Sequence, residues 1–156
     1  MKTHTRLLAL VCALIAAVQM ISPAHAQQEK TAGQTLYDRL GGVYAIATVV
    51  DDFVDRIMVN ETLKANPAVK EAQMRIPVPG LKYRVTALVC EATGGPQDYT
   101  GRTMKDAHAH LKISETEWQA MLLDFKATLE KFKVPEKEQS ELLAIIESTK
   151  KDIVVQ

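Results

Sequence analysis

The sequence predicts an all-α domain. Three observations carry that expectation. Apolar residues recur three and four positions apart in four stretches, helix-starting residues stand ahead of the last two, and no stretch alternates as a half-buried strand would.

The 156 residues divide before any helix is considered. Residues 1–26 read as a secretory signal peptide, with Lys2 and Arg6 unaccompanied by acid, an apolar run from Leu7 to Ile21, and Ala24-His25-Ala26 as the cleavage site before Gln27. That run falls short of the roughly 20 residues a bilayer-spanning helix needs, and no later one approaches it. An exported, periplasmic protein without a membrane span is expected. Residues 27–33 form a polar leader and 34–156 a single domain. The 130 residues left after Ala26 can bury about 65 to 70% of their surface in one core, and a second domain does not fit. Loss of Lys2 and Arg6 leaves 17 basic against 19 acidic groups, and this net charge of −2 argues against nucleic acid as a partner. Cys90 is the one cysteine outside the signal, so no internal disulfide can form and a bound cofactor gains weight as a source of stability.

Within the domain, Thr35 to Leu40 reads as a short helical turn ended by Gly41 and Gly42, which can take positive φ without steric cost. Val43, Ile46, Val50, Phe53 and Ile57 then mark an amphipathic helix over 43–58, with Asp51, Asp52, Asp55 and Arg56 between them. Residues 60–80, broken by Pro67, Pro77, Pro79 and Gly80, read as a long shaped connection with one helical turn at Ala68 to Met74. Leu81 to Ala92 reads as a short, mostly buried helix with Leu81, Val85, Leu88 and Val89 on one face. Ser114 and Glu117 form a capping box that opens a helix burying Trp118, Met121, Leu122, Phe125, Leu129 and Phe132. Pro135 opens the last helix, with Leu142, Ile145, Ile146 and Ile153 turned inward and Lys150 and Lys151 near its negative end.

Outside the signal only two histidines occur, in Met104-Lys105-Asp106-Ala107-His108-Ala109-His110-Leu111, behind the turn-forming Gly94-Gly95-Pro96-Gln97-Asp98-Tyr99-Thr100-Gly101. A neutral imidazole is the usual protein ligand of haem iron and the commonest metal ligand generally, so any metal falls to one of these two. On a helix their rings stand roughly 200° apart. A His-x-His copper or zinc site needs both on one side, as on an extended strand, and the helical signals oppose it.

Four ordered blocks complete the pattern: Leu36-Tyr37-Asp38-Arg39-Leu40-Gly41-Gly42, Val50-Asp51-Asp52-Phe53, Gly94-Gly95-Pro96 with Tyr99-Thr100-Gly101, and Met104-Lys105-Asp106-Ala107-His108. Together they resemble the group 1 truncated haemoglobins, of the bacterial-like globin family, over nearly all of the mature length. The resemblance implies a truncated globin, a two-over-two helical sandwich enclosing haem b, with His108 as proximal iron ligand and His110 on the surface. The imidazole would approach iron at about 2.0 to 2.1 Å, by analogy with zinc. Its other nitrogen should donate to a carbonyl or an acid.

The same resemblance puts Phe53, Val54, Leu81, Arg84, Val85 and Met104 beside the cofactor. Well-studied members carry Tyr after the Phe of the second helix and Gln in the third, where they hydrogen-bond dioxygen. This chain has Val54 and Val85 there, with Leu81 one turn earlier, so the ligand side is expected to be apolar. Pro67 stands near where the family carries an aromatic against the porphyrin, which leaves that packing to Phe53. Arg84 is a candidate for a haem propionate, and Lys82 and Tyr83 are further polar candidates. Cys90 reads as a buried small hydrophobe, since no cation is fixed beside it to activate the thiol.

The implied function is reversible binding of a diatomic gas, dioxygen, carbon monoxide or nitric oxide. Nitric oxide dioxygenation is a compatible activity and would need a reductase, which the sequence does not identify. The contrasting class is a periplasmic haem carrier or electron-transfer protein, which a six-coordinate haem would mark.

Overall fold

Eight helices run from Leu36 to Ile153 in the computed structural model, which describes residues 33–155. The predicted signal peptide and all but the last residue of the polar leader lie outside the described residues. The helices are α1 (Leu36–Arg39), α2 (Gly42–Val59), α3 (Glu61–Lys64), α4 (Pro67–Arg75), α5 (Val78–Ala92), α6 (Met104–His108), α7 (Glu115–Lys131) and α8 (Glu136–Ile153). Among the described residues no strand forms, and one isolated parallel bridge joins Ile113 to Val154. None of these helices is long and apolar enough to cross a membrane.

Two helix pairs make the sandwich. α2 packs along α5, α7 packs on α8, and the pairs meet through α2 against α7 and α1 against α8. The chain enters through α1, where Thr35 and Asp38 form a reciprocal capping box. It turns at Gly41 and Gly42, whose φ values of 91° and 77° suit glycine and strain other residues.

The buried row of α2 is Ile46, Val50 and Val54, spaced four apart, whereas Val43, Phe53 and Ile57 of the expected stripe are half-buried. Val54 is fully buried, which stabilises the fold by about 1.5 to 3 kcal/mol relative to exposure. The row faces Cys90, Leu81, Val85 and Val89 of α5. A second cluster gathers Leu36, Phe125, Leu129 and Leu142, with Phe53 meeting Phe125 edge-on at 5.2 Å between ring centroids. A third holds Leu63, Val69, Ile113 and Trp118. In the last two helices Met121, Leu122, Phe132, Ile145, Ile146 and Ile153 are half-buried, and Phe132 is a helix cap.

The segment 60–80 departs from its expected form as a connection. It holds two helices and the start of a third, because prolines at a helix start have no intrahelical N–H to lose. Asn60 caps α3 and Asn66 caps α4, each side chain accepting from two backbone N–H groups of the following turn. The same amides anchor the segment elsewhere. Asn60 donates to Asp124 at 2.7 Å, Asn66 to the Leu111 carbonyl at 2.9 Å, and Gln73 to the Ile57 carbonyl at 2.9 Å. α5 accordingly begins at Val78 and runs for 15 residues, and only Cys90 on it is fully buried. The expectation of a short, mostly buried helix is corrected on both counts. Pro135 stands one position earlier than expected, as the cap residue of α8.

Candidate functional site

α6 is five residues long and is shaped by what precedes it. A Cβ on Gly101 would overlap the Tyr99 ring, so glycine lets that ring lie against the chain there. The Tyr99 hydroxyl donates to the Arg102 carbonyl at 3.0 Å. Thr103 then caps α6, its hydroxyl accepting from the Asp106 N–H at 3.1 Å and donating to the Asp106 carboxylate at 2.7 Å. After the helix, the Leu111 N–H donates to the His108 carbonyl at 2.8 Å and the chain turns toward α7.

His108 closes this helix half-buried, with Nδ1 2.8 Å from the Met104 carbonyl oxygen, one turn back. A carbonyl can only accept, so Nδ1 carries the proton and Nε2 keeps its lone pair. Burial pushes the His108 pKa below the usual imidazole value, and the charges of His110 and Arg102 push the same way against the opposing Met104 carbonyl. The shift favours the neutral ring, the form that binds metals. His110 is exposed, as expected. Among the described residues no group of three or more His, Cys, Asp or Glu side chains could hold a metal ion.

The remaining predicted site residues fall into separate places. Val54, Leu81 and Val85 share the α2–α5 cluster and form a wall without an ionisable group. Phe53 belongs to the neighbouring cluster with Phe125. Met104 is half-buried beside His108, and its backbone holds the ring. Arg84 is exposed and forms no ion pair with the described residues. Tyr83 is 75% exposed, and Lys82 is bound to carboxylates of α2. α5 packs along α2 and α6 along α8, so the apolar wall and His108 belong to different helix pairs. Cys90 is fully buried with its pKa raised by burial, which matches a packing residue. Arg102 was not singled out from the sequence, although its place just ahead of the α6 cap could have signalled it.

These residues fit a haem. The donor is an imidazole whose Nδ1 is fixed by a carbonyl, and the α2–α5 cluster is apolar, with the Cys90 thiol as its one buried heteroatom side chain. Trp118 Nε1 and Gln97 Oε1 are buried without a partner among the described residues.

The helical sandwich places the chain in a globin-like class. Residues 35–155 match the bacterial-like globin family, and the chain belongs to that family, whose cofactor is haem b with its iron. It is similar to the group 1 truncated haemoglobin GlbN of Synechocystis sp., 32% identical over 116 residues that cover 71% of this chain and 88% of that protein. The group 1 truncated haemoglobin of Tetrahymena pyriformis is 28% identical over 121 residues, 78% of this chain and 95% of that protein. The solved Fe(III) form of the Tetrahymena pyriformis protein has a TM-score of 0.64 at 26% identity, covering 79% of this chain and all of that one. The 2/2 haemoglobin of Synechococcus sp., solved in the cyanomet state with covalently attached haem, shares the fold with a TM-score of 0.64 at 21% identity, covering 78% of this chain and 98% of that one.

Proposed function

We propose that this protein is a haem b globin that binds a diatomic gas reversibly, with His108 as the iron ligand. The observation that carries this reading is the state of the His108 ring. Its Nδ1 is engaged by the Met104 carbonyl at 2.8 Å, which leaves Nε2 as the nitrogen with the free lone pair, and burial lowers the ring's pKa. Haem, when bound, supplies the iron to which the gas coordinates. The chain's own residues set the terms. Met104 orients the imidazole, and Leu81 and Val85, half-buried on α5, offer no side-chain hydrogen-bond donor. Without a donor worth about 0.5 to 1.5 kcal/mol, a polar ligand such as dioxygen leaves about three- to tenfold faster. Carbon monoxide, being less polar, loses less.

The test is spectroscopic. The mature chain supplied with haem should show a Soret band that is lost in His108→Ala and returns on adding imidazole. A band that persists in the variant without imidazole would remove His108 from its role, and absence of the band in the native chain would remove haem binding.

Lys2, Arg6, the apolar run Leu7 to Ile21 and the Ala24-His25-Ala26 site support a periplasmic location for this globin. Secreted protein whose N-terminus sequences as Gln27 is the expected result, and retention of Met1 would overturn it.

A further inference from the structure

The mid-section of α5 is tied to α2 by one charged group. Lys82 Nζ lies 2.7 Å from Asp51 Oδ1 and 2.7 Å from Asp55 Oδ1, one cation between two carboxylates a helical turn apart. Among the described residues these are the only ion pairs that join α5 to another element. The two carboxylates, 62% and 60% exposed, would repel each other along α2 without the ammonium between them. The Lys82 side chain is only 23% exposed, so its stem lies against protein while its head meets the acids. The Thr86 hydroxyl donates to the Lys82 carbonyl at 2.8 Å and reinforces the same turn. Leu81 precedes Lys82, and Val85 follows one turn on.

We infer that Lys82 is a positioning residue, a latch on Asp51 and Asp55 that fixes the stand-off of α5 from α2 and with it the place of Leu81 and Val85. Its consequence for ligand kinetics rests on the haem reading above, whereas the latch itself does not. Because both carboxylates are solvent-facing, salt weakens the latch within the screening length of about 10 Å at 0.1 M.

Two measurements test it. Amide hydrogen exchange on the chain without haem reads the latch alone. Lys82→Ala should speed exchange on α5 by about two- to fivefold, the range for an exposed ion-pair cluster, and leave α7 and α8 unchanged. Lys82→Arg should restore the native rates. On the haem-loaded chain, carbon monoxide rebinding after flash photolysis should quicken by a similar factor in Lys82→Ala and in the Asp51→Asn, Asp55→Asn double variant. The native protein should approach that rate as salt rises. Native exchange on α5 in Lys82→Ala overturns the latch whether or not haem is bound. Faster exchange with unchanged rebinding overturns its role in placing Leu81 and Val85. A native chain that takes up no haem defeats the haem reading and leaves the exchange result to decide the latch.

Discussion

The Thr128 hydroxyl donates a 2.9 Å hydrogen bond to Asp52 across 76 positions of sequence, joining the middle of α2 to the end of α7. The same carboxylate accepts from Arg56 at 2.7 Å and is paired with Lys131. The bond from Arg56, then that from Lys131, holds the Asp52 carboxyl well below the usual carboxylate range. A depressed folded pKa adds stability at every pH above the unfolded value of about 3.9, and that stability drains away as pH falls through the folded value. Asp52→Asn should therefore cost about 1 to 3 kcal/mol at pH 7, the scale of a charged hydrogen bond. Urea unfolding should show the gap between variant and native protein narrowing progressively below about pH 4.

Trp118 is buried to 1% exposure, yet its indole N–H has no partner among the described residues. An unpaired buried donor stabilises nothing, so Trp118→Phe should change unfolding free energy by less than about 1 kcal/mol. Trp118→Ala, which removes the packed rings, should cost about 3 to 5 kcal/mol. Equal losses in the two variants, read by urea denaturation, would mean that the N–H is satisfied in solution.

Ser114 and Glu117 cap α7 reciprocally, with the Ser114 N–H donating to the Glu117 carboxylate at 2.6 Å and the Ser114 hydroxyl to the same oxygen at 2.8 Å. Ser114→Ala should lower stability by about 1 kcal/mol. Thermal unfolding should show this as a fall in Tm of a few degrees.

Val85 is half-buried and packs against the α2–α5 cluster. On the haem reading proposed above, Val85→Gln would supply a hydrogen-bond donor on the ligand side. In the haem-loaded protein, stopped-flow release of dioxygen should slow by about three- to tenfold, with a smaller effect on carbon monoxide. Equal effects on both gases would show that the amide acts by bulk.

The four longer helices were legible because each carries an apolar row at helical spacing, and Ser114 with Glu117 announced its own cap. α3 and α4 were not. They are four and nine residues long, and Pro67 and Pro77, which sit at or beside helix starts, also read as breakers. The stripe on α2 was misplaced by part of a turn because Val54 and Phe53 are both apolar, and only the approach of α5 decides which is buried deeper. At the site, two histidines and their spacing were legible, and the four family blocks selected His108. The Met104 carbonyl that holds its ring lies at i−4 and follows from the helix. The attachments of Asp52 to Thr128 and of Lys82 to Asp51 and Asp55 had no sequence signal, since nothing in a one-dimensional pattern says which surface charges meet.

The bond from His108 to its own helix carries a mechanical consequence. A histidine side chain ordinarily turns about two torsions independently of its backbone. Here Nδ1 is fastened one turn back on a segment of five residues, so the imidazole and α6 move as one body. That body lies against α8, and just beyond it the Ile113 carbonyl receives the Val155 N–H at 2.9 Å. On the reading that His108 holds iron, a pull along Nε2 would be delivered as a tilt of α6 toward α8, and the last helix would serve as the abutment against which the ligand is braced.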